Sequence, residues 1–433
     1  MFMAKYTCIV LICFSLYLCL QIIRMQKSLL ILTQYFPPEV GAPQNRLYEL
    51  AVRLQKSGMD VTVLTAMPNY PQGEIHPDYI ENKYFYEEME GLKIHRSSIY
   101  VTKSKGIFKR LLNYFSFVRS SYKTGKSKLE GKYDFLLCES PPLFLAITAV
   151  KLSRKKESKF IFNVSDLWPE SAEKLGLVTN KLFLRLAQNL EEKTYLKANL
   201  ITGQTQGIVK NISDRFPHKR THWLPNGVDL DYYNPGGVIS QDWRFKNGFK
   251  ESDVLFFYGG IIGHAQRLEI ILNAAKEVTN AKINFILMGS GPEKAELLRL
   301  NKQYGLKNVH FFEPVTKAVM PDVLSSIDVS LIPLRKLDLF LGAIPSKIFE
   351  SLAMKIPILL GVDGEARSLF IDEGKCGYFF EPENVEMLVA QAEKMAADLP
   401  GLKELGENGR AFADLKFNRD KIAEEFLAEL QKL

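Results

Sequence analysis

From Ser28 onward the chain alternates short apolar runs with stretches of helical spacing, and that alternation confines it to the α/β folds. Residues 29–33 read as a strand. Residues 46–56 carry Leu47, Leu50, Ala51 and Leu54 at helical spacing with Gly58 as the stop, and 61–65 follow as the next strand. Such a strand–helix–strand unit implies a right-handed crossover and parallel pairing. Further strands are predicted at 133–138, 160–164 and 200–203, and a second series at 254–258, 283–288, 309–312, 329–332 and 357–360. Two series of this kind predict two doubly wound, Rossmann-like domains facing a cleft, and a chain of 433 residues has room for them. The first domain spans 25–223 and the second 241–415. Between them 224–240 reads as a linker, because LPNGVDLDYYNP is rich in turn chemistry. Residues 416–433 form an amphipathic C-terminal helix with Ile422, Phe426, Leu427 and Leu430 on one side.

Ahead of the first strand, residues 6–23 form an uncharged, mostly apolar run of 18 residues, just long enough to span a bilayer. No small-residue cleavage site follows it, so 1–24 is either a membrane anchor or an overextended translation start. Cys138 and Cys376 stand far apart and Cys8, Cys13 and Cys19 fall in the apolar run, which indicates neither a disulfide framework nor a zinc site and points to a reducing compartment. The net charge of +7 is unevenly spread, with nine Lys/Arg against Glu130 alone over residues 101–132. Interleaved with aromatics such as Phe108, Phe115 and Phe117, that segment suits an anionic membrane surface or a lipid-linked ligand, or else a solvated helix with a core-facing stripe. No nucleic-acid module accompanies the charge, so no nucleic-acid partner is expected.

Ligands of doubly wound domains sit outside the carboxyl ends of the strands, and four loops there are unusual. Two contain glycines: Gly259 to Gln266, with Gly263 in it, and Gly289-Ser290-Gly291-Pro292. Neither has the third glycine of a dinucleotide fingerprint, since His264 and Lys294 occupy those places. The third loop is PSKIFE. Ser346 is placed to cap a helix whose first-turn amides, with Lys347, suit a diphosphate, while Glu350 on the same face suits a pair of vicinal ribose hydroxyls. An ordinary surface Lys/Glu pair has the same spacing. The fourth, SDLWPES, offers Asp166, Glu170 and Trp168 at a strand end, a combination that suits a sugar, although either carboxylate also suits a helix cap. The loop 37–43 after the first strand, with Gly41 in it, is expected to face it across the cleft. Asp229 and Asp231 read as a turn rather than a metal pair, so no metal is expected. Of the histidines, only His95 and His264 merit consideration for catalysis against a plain loop role.

These pieces resemble the GT-B glycosyltransferases of family 4, and more closely the fucosamine-type transferases of O-antigen and colanic-acid assembly. The marks that carry the resemblance occur in order: YFPPE at 35–39, NYPQG at 69–73, SDLWPES at 165–171, LPNGVD at 224–229, GHAQ at 263–266 and PSKIFE at 345–350. The resemblance implies a retaining transferase taking a UDP- or GDP-sugar as substrate, without a cofactor, in the C-terminal domain. A lipid-linked saccharide acceptor would bind the N-terminal domain, at the cytoplasmic face of the inner membrane, with the C-terminal helix packing back on that domain. By this likeness Gly263, Gln266, Arg267, Gly289, Gly291, Ser346, Lys347 and Glu350 bind the donor, Gly41, Arg46 and Trp168 the acceptor, and Asp166, Glu170 and Lys347 serve catalysis. The family's usual glutamate pair is broken, because Gly342 stands eight positions before Glu350, and Arg267 alone substitutes for the usual basic pair. A catalytically silent scaffold and a nicotinamide oxidoreductase are the competing readings, the latter opposed by the glycine spacing.

Overall fold

The computed structural model describes residues 26–433, apart from 40, 71, 81, 104–105, 175, 177 and 239–242. The apolar segment 1–24, Lys105 of the basic stretch and the end of the expected linker lie outside the described residues. Two compact units emerge: the first holds the chain through Val164 with Ala187–Ile201 and Glu429–Leu433, the second Ser165–Leu186 with Thr202–Ala428. Residues 165–186 and 202–223, which strand counting assigned to the first domain, thus fall in the second unit.

In the first unit β1 (Ser28–Leu32), β2 (Asp60–Ala66), β3 (Tyr84–Met89), β4 (Leu92–Ser97), β5 (Phe135–Ser140) and β6 (Lys159–Val164) run in the order β3-β4-β2-β1-β5-β6, followed by β7 (Leu200–Gly203), of which Leu200 and Ile201 belong to this unit. β1 pairs in parallel with both β2 and β5, so the winding reverses between β1 and β5. Both faces of these central strands are covered, and Leu29 to Leu32 are all fully buried, hence their continuous apolar sequence. One pairing departs from the parallel expectation: β3 is antiparallel to β4, joined through Glu90 and Gly91, which both have positive φ. The helix Ile107–Ser127 buries Phe117 and leaves Phe108, Leu112 and Phe115 exposed, so its apolar residues serve two faces. Among the described residues no helix is long and apolar enough to cross a membrane.

The second unit contains β8 (Thr221–Trp223) and an all-parallel sheet of β9 (Val254–Gly259), β10 (Ile283–Met288), β11 (Val309–Phe312), β12 (Val329–Pro333), β13 (Ile358–Gly361) and β14 (Gly377–Phe379). Its order, β11-β10-β9-β12-β13-β14, places the reversal between β9 and β12. Successive residues feed two cores: Leu255, Phe257, Ile286 and Leu360 pack with Phe349 and Phe417 on one face, Phe256, Phe285, Leu287 and Leu359 with Ile271 and Leu388 on the other. The stretch from Leu224 to Val228 is buried rather than an exposed linker, because Val228 bridges to Asn418 and its amide donates to the Phe417 carbonyl. Asp229 Oδ1 accepts from the amides of Asp231 and Tyr232, a turn of the kind expected of that Asp pair. The C-terminal helix runs from Arg419 to Gln431 and its residues divide between the units at 428/429.

Candidate functional site

At the reversal of the second sheet the loop after β9 meets the loop after β10. Gly260 N donates to the Met288 carbonyl at 2.9 Å and Ile262 N to that of Ser290 at 2.9 Å. A Cβ on Gly289 would stand 1.8 Å from Gly260 O, and one on Gly291 2.2 Å from Ile262 O. These two glycines are therefore required by the neighbouring backbone of this chain, which uses the close approach that a dinucleotide would need. Gly263 is buried, its carbonyl accepting from the Gln266 amide. Arg267 follows at φ 51°, exposed, with no ion-pair partner among the described residues.

The helix Lys347–Ala353 enters between β12 and β13. Ser346 does not cap it: its own φ and ψ are helical and its side chain makes no capping bond. The first turn closes instead through backbone, Ile348 N to Pro345 O at 3.1 Å and Phe349 N to Ser346 O at 3.2 Å, so those two amides are not free. Lys347 and Glu350 are not a surface pair either. Lys347 turns its Nζ over the ring of Tyr258, 3.7 Å from the centroid, beside Gly260. Burial holds that ammonium down to about 7, against which the Glu350 charge works only partly. Glu350 points elsewhere and accepts from the Tyr233 hydroxyl, and its own burial raises its pKa despite Tyr233, Arg419, Lys317 and Lys347. Arg410 fixes this arrangement by donating to the carbonyls of Tyr233 and Ala353 at 2.7 Å each and of Leu230 at 3.1 Å. Tyr233 and Tyr258 escaped the sequence reading, since a tyrosine beside a turn or a glycine pair carries no pattern of its own.

A cavity of about 440 Å³ in the same unit gathers Asp166, Glu170, Lys174, Thr205, Asp338 and Gly342. Asp166 and Glu170, predicted from one loop, thus share a wall with the position of the missing acid, and Asp338 stands four residues before it. Asp166 is exposed as a residue, yet its carboxylate turns in to accept from Ser171 Oγ at 2.8 Å. Burial of that group raises its pKa, with the Glu170 charge adding to the shift. Glu170 is ion-paired with Lys174 at 2.7 Å. Trp168 is not part of the lining: it packs edge-on against Phe183 in a small cluster with Ala172, Val178 and Leu184, which corrects the expected sugar platform. Beside the cavity Glu365 accepts from the amides of Gln206 at 2.6 Å and Gly207 at 2.8 Å, closing the N-terminus of the helix Gln206–Arg215.

In the first unit Arg46 is locked into a buried ion pair with Glu139 at 2.7 Å, and Asn163 donates to the other carboxylate oxygen. A guanidinium so occupied is not presented to an acceptor, which corrects that expectation. Gly41 precedes the helix Ala42–Lys56 and its carbonyl accepts from the Asn45 amide. His95 lies in β4, bonded to the Tyr84 hydroxyl at 3.0 Å, and burial lowers its pKa to about 4. His264 pairs with Glu293.

Family 4 glycosyltransferases provide a model that matches residues 44–232, and glycosyl transferases group 1 one that matches 239–412. The putative colanic acid biosynthesis glycosyl transferase WcaI of Escherichia coli (strain K12) is 25% identical over 406 residues, 92% of this chain and 98% of that protein. The O-antigen chain mannosyltransferase C of Escherichia coli is 20% identical over 91% of this chain and 95% of its own length. Among solved structures, sucrose-phosphate synthase from Thermosynechococcus elongatus superposes with a TM-score of 0.72 at 15% identity, covering 94% of this chain and 99% of that one. HepE of Anabaena in complex with UDP-glucose gives 0.67 at 16% identity, covering 94% and 100%. These structural likenesses concern the fold.

Proposed function

Taking as premise that the chain belongs to the GT-B glycosyltransferases of family 4, with a group 1 domain following the family 4 domain, we propose that it is a retaining transferase of surface polysaccharide assembly. It moves a deoxy- or N-acetylhexosamine-type sugar from a UDP- or GDP-linked donor to a lipid-linked saccharide at the cytoplasmic face of the inner membrane. The colanic acid and O-antigen relatives support the pathway class, and HepE in complex with UDP-glucose supports the donor class. Exposed Phe108, Leu112 and Phe115 on a helix whose Lys109, Arg110 and Arg119 have no acidic partner among the described residues support contact with an anionic membrane.

The observation that carries the reading is Lys347, a cation held over an aromatic ring at the sheet reversal with no carboxylate pairing it among the described residues. A buried cation kept without a counter-ion is stabilised by an arriving anion, and a diphosphate next to Gly260 supplies one. As the bond between the sugar C1 and the diphosphate oxygen breaks, charge grows on the leaving group. Lys347, with Arg267 from the adjoining loop, then stabilises the transition state more than the bound donor. Glu350, steadied by Tyr233, takes the ribose hydroxyls. The acceptor oxygen bonds to C1 on the face the leaving group vacates, and its proton passes to the departing phosphate, with Asp166 and Glu170 orienting the hydroxyl. No cofactor enters this scheme.

Calorimetric titration with UDP and with GDP tests it. One of the two should bind the native protein, and Lys347→Ala should abolish the heat while thermal unfolding stays cooperative. Absence of binding by either nucleotide overturns the reading.

A further inference from the structure

Two motifs of the first unit, YFPPE and NYPQG, have no part in holding a donor, yet the structure joins them. Glu39 accepts from the amides of Asn69 at 2.7 Å, Tyr70 at 2.8 Å and Phe36 at 3.2 Å. With three backbone donors on its two oxygens, this carboxylate is a positioning group that fastens the loop after β2 to the loop after β1.

What the fastening builds is a wall, Asn69 and Tyr70, with a cavity on each side. One has a volume of about 800 Å³ and is walled chiefly by Pro38, Pro68, Ile75, Pro77, Ile80 and Val101. On its rim Glu74 is paired with Lys103 at 2.6 Å and His76 lies 3.4 Å from Asp78, while the Glu39 carboxylate that also lines it is taken up by the three backbone amides. The other, about 170 Å³, is polar: Tyr35, Thr102, Arg110, Asn113 and Tyr114 line it. Arg110 has no carboxylate partner among the described residues and reaches only the Tyr114 hydroxyl, at 3.5 Å. Behind them Gln34, 1% exposed, donates to Tyr35 Oη at 3.2 Å and Asn113 Oδ1 at 3.0 Å, while its own Oε1 stays buried without a partner.

A large apolar cavity that shares a wall with a small polar one holding an unpaired guanidinium is complementary to an amphiphile, with an anionic head on one side and a hydrocarbon body on the other. A soluble sugar leaves the larger cavity unfilled by anything apolar, and a free phosphate uses only the smaller. We propose that the two cavities form a single seat for the lipid-linked acceptor, its phosphate head at Arg110, Tyr114 and Asn113 and its chain lying in the cavity bounded by Ile75, Ile80 and Val101. This rests on the reading of the protein as a transferase with a lipid-linked acceptor, but its residues all lie in the first unit, whereas Lys347 and Glu350 belong to the second.

The test is calorimetry on the full chain with farnesyl diphosphate, dimethylallyl diphosphate and inorganic diphosphate as probes. Burial of the longer chain should tighten binding by at least about tenfold from dimethylallyl to farnesyl. Ile80→Asp, at a residue 65% exposed and hence harmless to the core, should remove most of that chain-length gain. Arg110→Ala should weaken all three probes and leave UDP or GDP binding unchanged. Equal affinity for the three probes, or an Ile80→Asp variant that keeps the farnesyl preference, overturns the lipid seat and leaves a site for a soluble anion. Loss of farnesyl diphosphate binding in Lys347→Ala with no loss in Arg110→Ala also overturns it, by sending the head group to the second unit. If neither nucleotide binds while farnesyl diphosphate binds as described, the donor assignment fails and the lipid seat stands.

Discussion

The two sheets reverse their winding in the same way, and the charges at the two reversals are treated oppositely. Between β1 and β5 the cation is Arg46, and Glu139 neutralises it at 2.7 Å, with side chains only 7% and 4% exposed. Between β9 and β12 the cation is Lys347, and what faces it is the ring of Tyr258 and the backbone of Gly260. A closed pair is an internal strut, since both charges have lost their water and found each other. An unclosed cation is an invitation to an external anion. One topology thus supplies a structural element in one half and a ligand seat in the other, and the counter-charge makes the difference.

The largest effect should come from opening the closed pair. Glu139→Ala removes the carboxylate that neutralises the buried Arg46 guanidinium, which costs on the order of 3–5 kcal/mol. Chemical denaturation should register it as a lower midpoint, and a variant as stable as the parent would show that the pair is not a strut. Next comes the unclosed cation. Lys347→Ala should reduce turnover by roughly 10²–10³-fold, the usual loss for one charge-stabilising donor, without lowering the unfolding midpoint. A stability loss matching that of Glu139→Ala would erase the contrast between the two reversals.

The smallest effect is on pH. The Lys347 ammonium titrates at about 7 in the fold against 10.5 when exposed. Below pH 7 folded and unfolded chains both carry the proton and the burial penalty is complete. From about 7 to 10.5 only the unfolded chain keeps it, so this residue's contribution to stability improves as pH rises through that window. Affinity for a nucleotide diphosphate, which requires the charged form, should run the other way, weakening by up to about tenfold per unit above pH 7. Calorimetry at pH 8.5 in two buffers of different ionisation enthalpy should reveal proton uptake on binding. Equal heats in both would mean that Lys347 is already charged in the empty site.

Much of the fold was legible because parallel strands buried on both faces read as unbroken apolar runs, and those from Ile283 to Met288 and from Val309 to Phe312 end where expected. The hairpin of β3 and β4 was not: YFYEEM runs three aromatics and then two acids along an edge strand, without a period of two, and burial there is partial. Lys347 and Glu350 were legible as a pair of residue types on one helix, and Asp166 with Glu170 as carboxylates at a strand end. Arg46 was misread because its partner is 93 positions away. Trp168 was misread because a ring that packs on Phe183 and one that awaits a sugar have the same sequence neighbours.

By itself the sequence determined most of the buried parallel strands and the helices between them, that two wound sheets would form, and which loops carry chemistry. Those properties depend on neighbours within a few residues, through periodicity, turn residues and local sterics. Only the tertiary structure decided which charges are cancelled: that Glu139 closes on Arg46, that Glu350 turns to Tyr233, and that Lys347 is left above Tyr258 beside Gly260. Charge closure depends on distance and burial in three dimensions, and neither is a function of position along the chain.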